Sequence, residues 1–301
     1  MKKVIAIDIG GTKTAGAVVD ENATILKELR VPTNPKLGPD ILISTLCSIV
    51  EELIKEYEIS AIGIGSAGRV NINDGSIFFA SDNIPGWTGV KLQEIIYKKF
   101  NIPVIVENDC KVTGLGEEWK GAAQGLDSYV CLALGTGIGA AVKCEGRLLH
   151  GKHYSAGELG HIVLHPGGRQ CNCGLKGCFE QYCSGPSLVR IYNEEADISI
   201  NSGYEFFDLV RSNNITALKV LDDFVDNMYN AILTITNTYD PEKIIIGGGL
   251  IDTKDLWWDK LLSKIKESSL NQLFEIQVVP ATLGSKAAVY GAAYIALFGI
   301  N

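Results

Sequence analysis

The chain has 301 residues, enough for two domains of ordinary size or for one large domain. Hydrophobic residues make up 46% of it, as in ordinary globular proteins, yet no apolar run approaches the ~20 residues that cross a bilayer, so we expect no membrane role. The net charge of −8 argues against a nucleic-acid-binding surface, because phosphate neutralisation needs clustered Lys and Arg.

The chain opens on a predicted strand from Val4 to Ile9, rich in β-branched residues, and a Gly-rich turn follows it, Gly10-Gly11-Thr12-Lys13. A strand-like run at 15–19 comes next. Two glycines and a threonine in such a turn expose backbone N–H groups and a hydroxyl, which suits a phosphate. Asp8 and Lys13 favour this interpretation over a plain β-turn, because a carboxylate holds hydrated Mg²⁺ and an ammonium faces phosphate oxygens.

The same pattern recurs near the middle of the chain. A strand predicted from Tyr129 to Leu134 is followed by Gly135-Thr136-Gly137-Ile138-Gly139 and then by a strand of small residues at 140–143. This is an internal repeat of residues 4–20. Two phosphate-binding hairpins of this kind predict two similar domains that face one another across a cleft.

The rest of the chain alternates between helical and strand patterns, which predicts an α/β fold. The predicted helices lie at 39–57, 90–100, 187–195, 205–211, 216–239, 256–265 and 286–298, and the further strands at 23–30, 59–64, 104–106, 243–246 and 276–279. Three strands end in residues suited to a ligand crevice, namely Gly65-Ser66-Ala67-Gly68, Glu107-Asn108-Asp109 and Gly247-Gly248-Gly249. At 107–109 the local sequence fits a substrate-binding group and a helix cap equally well.

A cysteine cluster follows the second hairpin. Three cysteines in a Cys-x-Cys-x4-Cys array and one upstream histidine predict a zinc site, whose ligands are His161, Cys171, Cys173 and Cys178. An iron–sulfur centre, redox-active thiols and ordinary thiols are the alternatives. A disulfide framework is disfavoured, because the chain enters a strand directly after Met1-Lys2-Lys3, and free thiols suit a reducing cytoplasm. Folding around an ion would also bring the carboxylates of Glu158 and Glu180 near the centre of the loop.

These motifs, in this order, resemble those of the bacterial ROK family (repressor, open reading frame, kinase). The matching residues are Asp8-x-Gly10-Gly11-Thr12-Lys13, Glu107-Asn108-Asp109, Leu134-Gly135-Thr136-Gly137-Ile138-Gly139, Glu158-x-Gly160-His161, Cys171-x-Cys173-Gly174-x-x-Gly177-Cys178-x-Glu180 and Gly247-Gly248-Gly249. The resemblance covers essentially the whole chain, and the cysteine motif is highly specific. The resemblance implies two duplicated actin-like ATPase (ribonuclease H-like) α/β domains with a cleft between them. We expect the first domain at 1–115, completed by a C-terminal helix at about 287–301, and the second domain, with the zinc loop, at 116–286.

The resemblance also implies a role for each motif. Asp109 would be the general base that takes the proton from the attacking sugar hydroxyl. The sugar would be bound by Gly68, Asn83, Asn108, Asp109, Glu158, His161 and Glu180. ATP and Mg²⁺ would be bound by Asp8, Gly10, Gly11, Thr12, Lys13, Gly135, Thr136, Gly137, Gly248 and Gly249. Structural Zn²⁺ would be held by His161, Cys171, Cys173 and Cys178.

The implied activity is ATP-dependent phosphorylation of a hexose by a cytoplasmic enzyme, most simply a homodimeric glucokinase acting on the 6-hydroxyl. Kinases for fructose, N-acetylmannosamine or N-acetylglucosamine, allose and β-glucosides are alternatives. Ala67 stands where family members often carry proline, and Ala140-Ala141 replaces a more Gly-rich continuation, which leaves the sugar open. A sugar-sensing transcriptional regulator is disfavoured, because such regulators carry a helix-turn-helix domain before the hairpin that here begins at Val4.

Overall fold

Two five-stranded sheets organise the structure, a computed structural model that describes residues 1–81, 84–272 and 275–300. The strands are β1 (Lys3–Ile9), β2 (Lys13–Asp20), β3 (Ile25–Pro32), β4 (Ala61–Ser66), β5 (Arg69–Asn71), β6 (Ser76–Phe79), β7 (Val104–Asn108), β8 (Tyr129–Leu134), β9 (Ile138–Cys144), β10 (Arg147–Leu148), β11 (Lys243–Gly247) and β12 (Val278–Pro280). The helices are α1 (Pro39–Leu53), α2 (Leu92–Phe100), α3 (Asp109–Lys120), α4 (Glu180–Cys183), α5 (Gly185–Glu195), α6 (Gly203–Arg211), α7 (Ile215–Tyr239), α8 (Trp258–Glu267) and α9 (Ala287–Phe298).

The first sheet has the order β3-β2-β1-β4-β7. Strands β1, β4 and β7 are parallel, and their register aligns Asp8 with Gly65 and Gly65 with Glu107. Both faces of β1 are buried. Helix α1 covers one face, and α9 covers the other through a cluster that includes Val4 and Ala292. The carboxyl ends of three parallel strands therefore meet at one edge, which is where ligands bind in open α/β sheets.

The second sheet repeats this connectivity. Its order is β10-β9-β8-β11-β12, so the first strand of each sheet in chain order lies at the centre, with the next two strands on one side and two later strands on the other. Strands β8, β11 and β12 are parallel. The prediction of two duplicated α/β halves is thereby confirmed. Within the described ranges, no helix combines the length and the apolar character that a membrane crossing requires.

The chain divides into two compact units. The first unit contains Met1–Leu126, Ala141–Ala156 and Thr282–Asn301, and the second contains Asp127–Ala140 and Gly157–Ala281. This division differs from the boundary expected at residue 115, because α3 continues to Lys120 and packs closely along α9. An added Cβ at Gly116 or Gly291 would collide with the backbone of the facing helix. Helix α9 belongs to the first unit.

Some local elements differ from the sequence-based expectations. The hairpin of β5 and β6 was not predicted; its turn is closed by a hydrogen bond of 2.7 Å from the Gly75 N–H to the Asn71 carbonyl. Helix α1 ends at Leu53, four residues before the predicted end at Tyr57. Helix α2 begins at Leu92, because the residues before it form tight turns, one of them closed by the Val90 N–H on the Trp87 carbonyl.

Candidate active site and metal centre

The first Gly-rich turn joins β1 to β2 and exposes Gly11, Thr12 and Lys13 to solvent. The Gly10 N–H donates to the Lys13 carbonyl at 3.1 Å and so closes the turn. Beneath it lies Thr33, which is fully buried: its hydroxyl donates to the Gly10 carbonyl at 2.7 Å, and its N–H donates to the Thr12 carbonyl at 3.0 Å. These two hydrogen bonds from Thr33, the residue after β3, fix the conformation of the exposed turn. The sequence patterns did not predict this contact.

Asp8, at the end of β1, lies in an unusual electrostatic environment. Burial and the negative charge of Asp109 raise the pKa of the Asp8 carboxyl to about 7, while the charge of Arg30 opposes the shift. Asp8 is predicted to hold Mg²⁺ and Asp109 to take the proton. The two carboxyl groups therefore lie close enough at the edge of the first sheet for one to shift the pKa of the other. A nearby cation would favour the ionised form of Asp8.

Asn108 lies at the junction of β7 and α3 and is the N-cap of the helix. Its side-chain oxygen accepts from the Cys110 and Lys111 N–H groups at 3.0 and 3.1 Å. Its amide nitrogen donates to the Gly68 carbonyl at 2.9 Å and to Oδ1 of Asp109 at 2.8 Å. A helix cap and a substrate-binding group are therefore compatible at this turn, because the residue that caps α3 also orients the Asp109 carboxylate.

Gly68 is the other predicted substrate-binding residue at this edge that the structure describes. It follows β4 with a positive φ of 93°, and a Cβ at this position would lie 2.6 Å from the Phe79 carbonyl oxygen. Glycine is therefore required where the chain turns past β6. The predicted residue Asn83 lies outside the described residues.

The second Gly-rich turn joins β8 to β9 in the second unit and exposes Thr136. The Gly135 N–H donates to the Gly137 carbonyl at 2.9 Å. The Ile138 N–H donates to Oε2 of Glu180 at 2.8 Å, so the first residue of α4 contacts this turn directly. An added Cβ at Gly160 would collide with the Ile138 carbonyl. The turn is therefore packed against both motifs that flank the cysteine array.

The glycines after β11 lie beside the same turn. Gly248 has a φ of 84°, and a Cβ there would collide with the backbone of Leu134, the last residue of β8. Gly248 and Gly249 are both exposed, and an added Cβ at Gly249 would meet no atom within 4 Å. The chain thus leaves an open surface of bare backbone at the carboxyl ends of β8 and β11.

The four predicted zinc ligands converge. The ligand atoms of His161, Cys171, Cys173 and Cys178 all lie within 4.8 Å of one another. Nδ1 of His161 is 3.6 Å from Sγ of Cys171, and the sulfurs of Cys173 and Cys178 are also 3.6 Å apart. Tetrahedral zinc with Zn–S bonds of about 2.3 Å requires ligand atoms about 3.5–3.8 Å apart, so these residues fit that metal.

The surroundings act differently on two of the sulfurs. The Gln181 amide donates to Sγ of Cys171 at 3.5 Å, as expected of a group that supports a metal-bound sulfur. Burial and the neighbouring thiols raise the pKa of the Cys178 thiol to about 12, so a metal must displace its proton on binding. His165 belongs to another contact, with its ring 4.3 Å from that of Tyr182.

Each remaining site residue lies next to one of these features. Glu158 precedes a short 3₁₀ turn, Leu159–His161, whose last residue donates its N–H to the Glu158 carbonyl at 3.0 Å. Within each unit, the predicted residues therefore gather at the carboxyl ends of the parallel strands. The first unit brings together Asp8, Gly10, Gly11, Thr12, Lys13, Gly68, Asn108 and Asp109, and the second brings together Gly135, Thr136, Gly137, Glu158, His161, Glu180, Gly248 and Gly249.

Comparisons with known proteins agree with this architecture. A family model described as "ROK family" matches residues 4–298. Glucokinase from Thermotoga maritima is 32% identical over 97% of this chain and 96% of its own length. The solved structure of a ROK hexokinase from Thermus thermophilus has a TM-score of 0.86 and 31% identity, with 98% of each chain covered. A ROK family glucokinase from Streptomyces griseus, in complex with glucose and AMPPNP, has a TM-score of 0.81 and 31% identity and covers 98% of this chain and 99% of its own. This chain belongs to the ROK family and has its two-domain actin-like ATPase fold.

Proposed function

We propose that this protein transfers the γ-phosphate of ATP to the 6-hydroxyl of glucose and that Asp109 is the general base. An ATP-dependent hexose kinase activity follows from family membership together with the glucokinase relatives. The sugar, the hydroxyl and the base are the proposed parts. The observation that supports the base is the junction of β7 and α3, where Asn108 orients the Asp109 carboxylate beside Asp8. The choice of glucose is supported by the similarity to glucokinases.

A sugar hydroxyl is a poor nucleophile at neutral pH, so a positioned carboxylate that removes its proton accelerates the reaction, typically by about 10²–10⁴-fold. Oδ1 of Asp109 accepts from the Asn108 amide and from the Cys110 N–H, each at 2.8 Å. These donors fix the orientation of the carboxylate. Phosphoryl transfer depends on such positioning and on electrostatics more than on covalent steps.

The two Gly-rich turns are the proposed phosphate sites. The exposed Gly11, Thr12 and Lys13 would bind phosphate oxygens in the first unit, with Gly10 closing the turn, and Gly135-Thr136-Gly137 would bind them in the second. Gly248 and Gly249 would lie against the adenosine, since a flat ring can approach bare backbone closely. Asp8 would hold Mg²⁺, which neutralises charge on the phosphate oxygens during transfer.

The sugar would be recognised by hydrogen bonds from both units. Asn108 and Gly68 would act from the first unit, together with Asn83, which lies outside the described residues. Glu158, His161 and Glu180 would act from the second. Because Nδ1 of His161 faces the thiol of Cys171, its other ring nitrogen would be directed to a hydroxyl.

Structural zinc is the second part of the proposal. The zinc ligands would be His161, Cys171, Cys173 and Cys178. The ion would crosslink these residues and take no part in the reaction. Glu180 lies two residues beyond Cys178 and contacts the second phosphate turn, so this crosslink would help to fix sugar-binding and phosphate-binding groups together. A chain with this many cysteines outside a disulfide framework suits a reducing cytoplasm, and we expect a homodimer.

A coupled assay of ADP release over a panel of hexoses, amino sugars and β-glucosides tests the activity. Glucose should give the highest kcat/KM, and ³¹P NMR should identify glucose 6-phosphate. Asp109→Ala should lower kcat by about 10²–10⁴-fold. The matched control is Asp40→Ala, which removes an exposed carboxylate at the start of α1 and should keep full activity. Stronger activity on another sugar would overturn the assignment of glucose as the substrate. An active Asp109→Ala variant would overturn the assignment of Asp109 as the general base.

Metal analysis tests the zinc site. The purified protein should contain about one zinc per chain, and Cys178→Ser should lose it. The control is Cys183→Ser, which alters a fully buried thiol of α4 whose Sγ lies 3.7 Å from the Phe224 carbonyl. Zinc content near zero in the wild type, or equal losses in both variants, would contradict the ligand assignment.

A further inference from the structure

Glu107 is a buried carboxylate for which the proposed mechanism has no role. It is the residue before Asn108 in β7, and its side chain is completely inaccessible to solvent. Its Oε1 accepts from the Asn108 N–H at 2.6 Å. Its register partner is Gly65, whose neighbour in β1 is Asp8, so Glu107 belongs to the row that lies one residue before the ends of the three parallel strands.

The other oxygen of Glu107 is held by His150. Nε2 of His150 lies 2.6 Å from Oε2 of Glu107, and the histidine side chain is only 12% exposed. The pair joins residues 43 positions apart in the sequence, both in the first unit. The short distance and the burial of both side chains make this one of the closer polar contacts of the first unit.

His150 begins a segment, residues 150–156, that is anchored independently of Glu107. Its carbonyl accepts from the Ala156 N–H at 3.0 Å, which closes the segment on itself. The Tyr154 hydroxyl donates to the side-chain oxygen of Asn71 at 2.6 Å and accepts from the Asn73 amide at 3.1 Å. The imidazole is therefore presented to Glu107 from a fixed backbone.

Removing this imidazole has a consequence for the catalytic turn. A buried carboxylate that loses its donor must either take up a proton or move towards another donor. Both changes weaken or displace the acceptor that Oε1 offers to the Asn108 N–H. Asn108 orients Asp109, so the disturbance reaches the carboxylate that is proposed to take the proton.

We propose that His150 is a positioning residue, which acts through Glu107 to hold the turn at Asn108 and Asp109 in its productive geometry. This inference rests on the proposed function, in which Asp109 is the base. It predicts a defect in the transfer step, because a small displacement of a reacting group costs rate. The phosphate turns lie elsewhere in the sheets and should keep their affinity for ATP.

Kinetics of three variants test the inference. His150→Leu should lower kcat about 10- to 100-fold, with KM for ATP within about twofold of wild type. His150→Gln places an N–H donor near the position of Nε2 and should recover most of kcat. His153→Leu is the matched control: the same substitution, three residues along the same segment on an exposed ring, should leave kcat unchanged. Equal kcat losses in His150→Leu and His150→Gln, or a wild-type kcat in His150→Leu, would overturn the proposal.

Hydrogen exchange at the Asn108 amide provides a readout that does not depend on activity. His150→Leu should speed this exchange by about tenfold or more, and His150→Gln should slow it again, because its side-chain amide can donate to the same oxygen of Glu107. Unchanged exchange in His150→Leu would refute the contact's role. Failure of the proposed function would look different, since wild type would phosphorylate no hexose or Asp109→Ala would remain active.

Discussion

Glu117 in α3 is a second fully buried carboxylate. Its replacement by glutamine tests how much its hydrogen bonds to the segment before α9 stabilise the first unit. The carboxylate receives donors from two distant parts of the chain. Oε2 accepts from the Ala122 N–H at 2.8 Å and from the Thr282 hydroxyl at 3.2 Å, and Oε1 accepts from the Leu283 N–H at 2.9 Å. The Thr282 N–H contacts both oxygens, at 3.1 and 3.2 Å. Glu117 therefore ties down the segment that leads into α9.

Glu117→Gln replaces one of these oxygens by an NH₂ group. Whichever way the amide is placed, a donor then faces the Ala122 or the Leu283 N–H, and at least one short bond is lost. Hydrogen bonds to a charged group contribute about 1.5–3 kcal/mol, and an unpaired buried N–H costs about 1–3 kcal/mol. We therefore expect the free energy of unfolding to fall by about 2–4 kcal/mol, which lowers the melting temperature by about 4–16 °C for a unit of this size.

Thermal and urea unfolding followed by near-UV circular dichroism measure this change. Glu94→Gln is the control: the Glu94 side chain on α2 is partly exposed and pairs with Lys91 and Lys98 at the surface, so its replacement should leave the transition midpoint unchanged. A Glu117→Gln variant that unfolds at the wild-type midpoint would refute the reasoning. Hydrogen exchange should then also remain slow at the Leu283 amide.

Three further predictions concern the site itself. Because the pKa of Asp8 is raised to about 7 in the folded state, its contribution to stability is present at low pH and is lost as the pH rises through 7. In urea titrations of metal-free protein, the free energy of unfolding of the wild type should therefore fall by ~1–3 kcal/mol more than that of Asp8→Asn between pH 5 and pH 8. An equal fall in the two proteins would contradict the raised pKa. Thr33→Val removes the hydroxyl that donates to Gly10 and should raise KM for ATP severalfold, whereas Thr33→Ser should behave as wild type. Gly160→Ala forces apart the His161 turn and Ile138 and should lower kcat/KM for glucose by about 100-fold or more, so near-normal kinetics would show that this contact is not tight.

Local signals account for the agreement between the sequence-based expectations and the structure in the fold and in the convergence of the Cys/His cluster. Gly-rich turns after apolar strands depend on backbone conformation, which a few neighbouring residues determine. Both turns lie where the patterns placed them, at the ends of β1 and β8. The cysteine array was equally predictable, because ligand spacing in one short loop already limits where the sulfurs can meet.

Contacts between distant residues account for what the sequence patterns missed. The hydroxyl of Thr33 reaches Gly10 across 23 positions, and Glu117 reaches Leu283 across 166. No local periodicity encodes such pairs, since each depends on how strands and helices assemble. The segment Ala141–Ala156 belongs to the first unit for the same kind of reason, and a boundary drawn along the chain could not anticipate it.

Helix α9 has a consequence for how the protein is made. It covers a face of the first sheet that includes Val4 and Ala6, and Gly63 of β4 leaves room for its backbone. During synthesis these strands leave the ribosome long before the helix that shields them. The nascent chain must therefore expose an apolar surface until α9 has been made, which favours chaperone binding and delays completion of this unit.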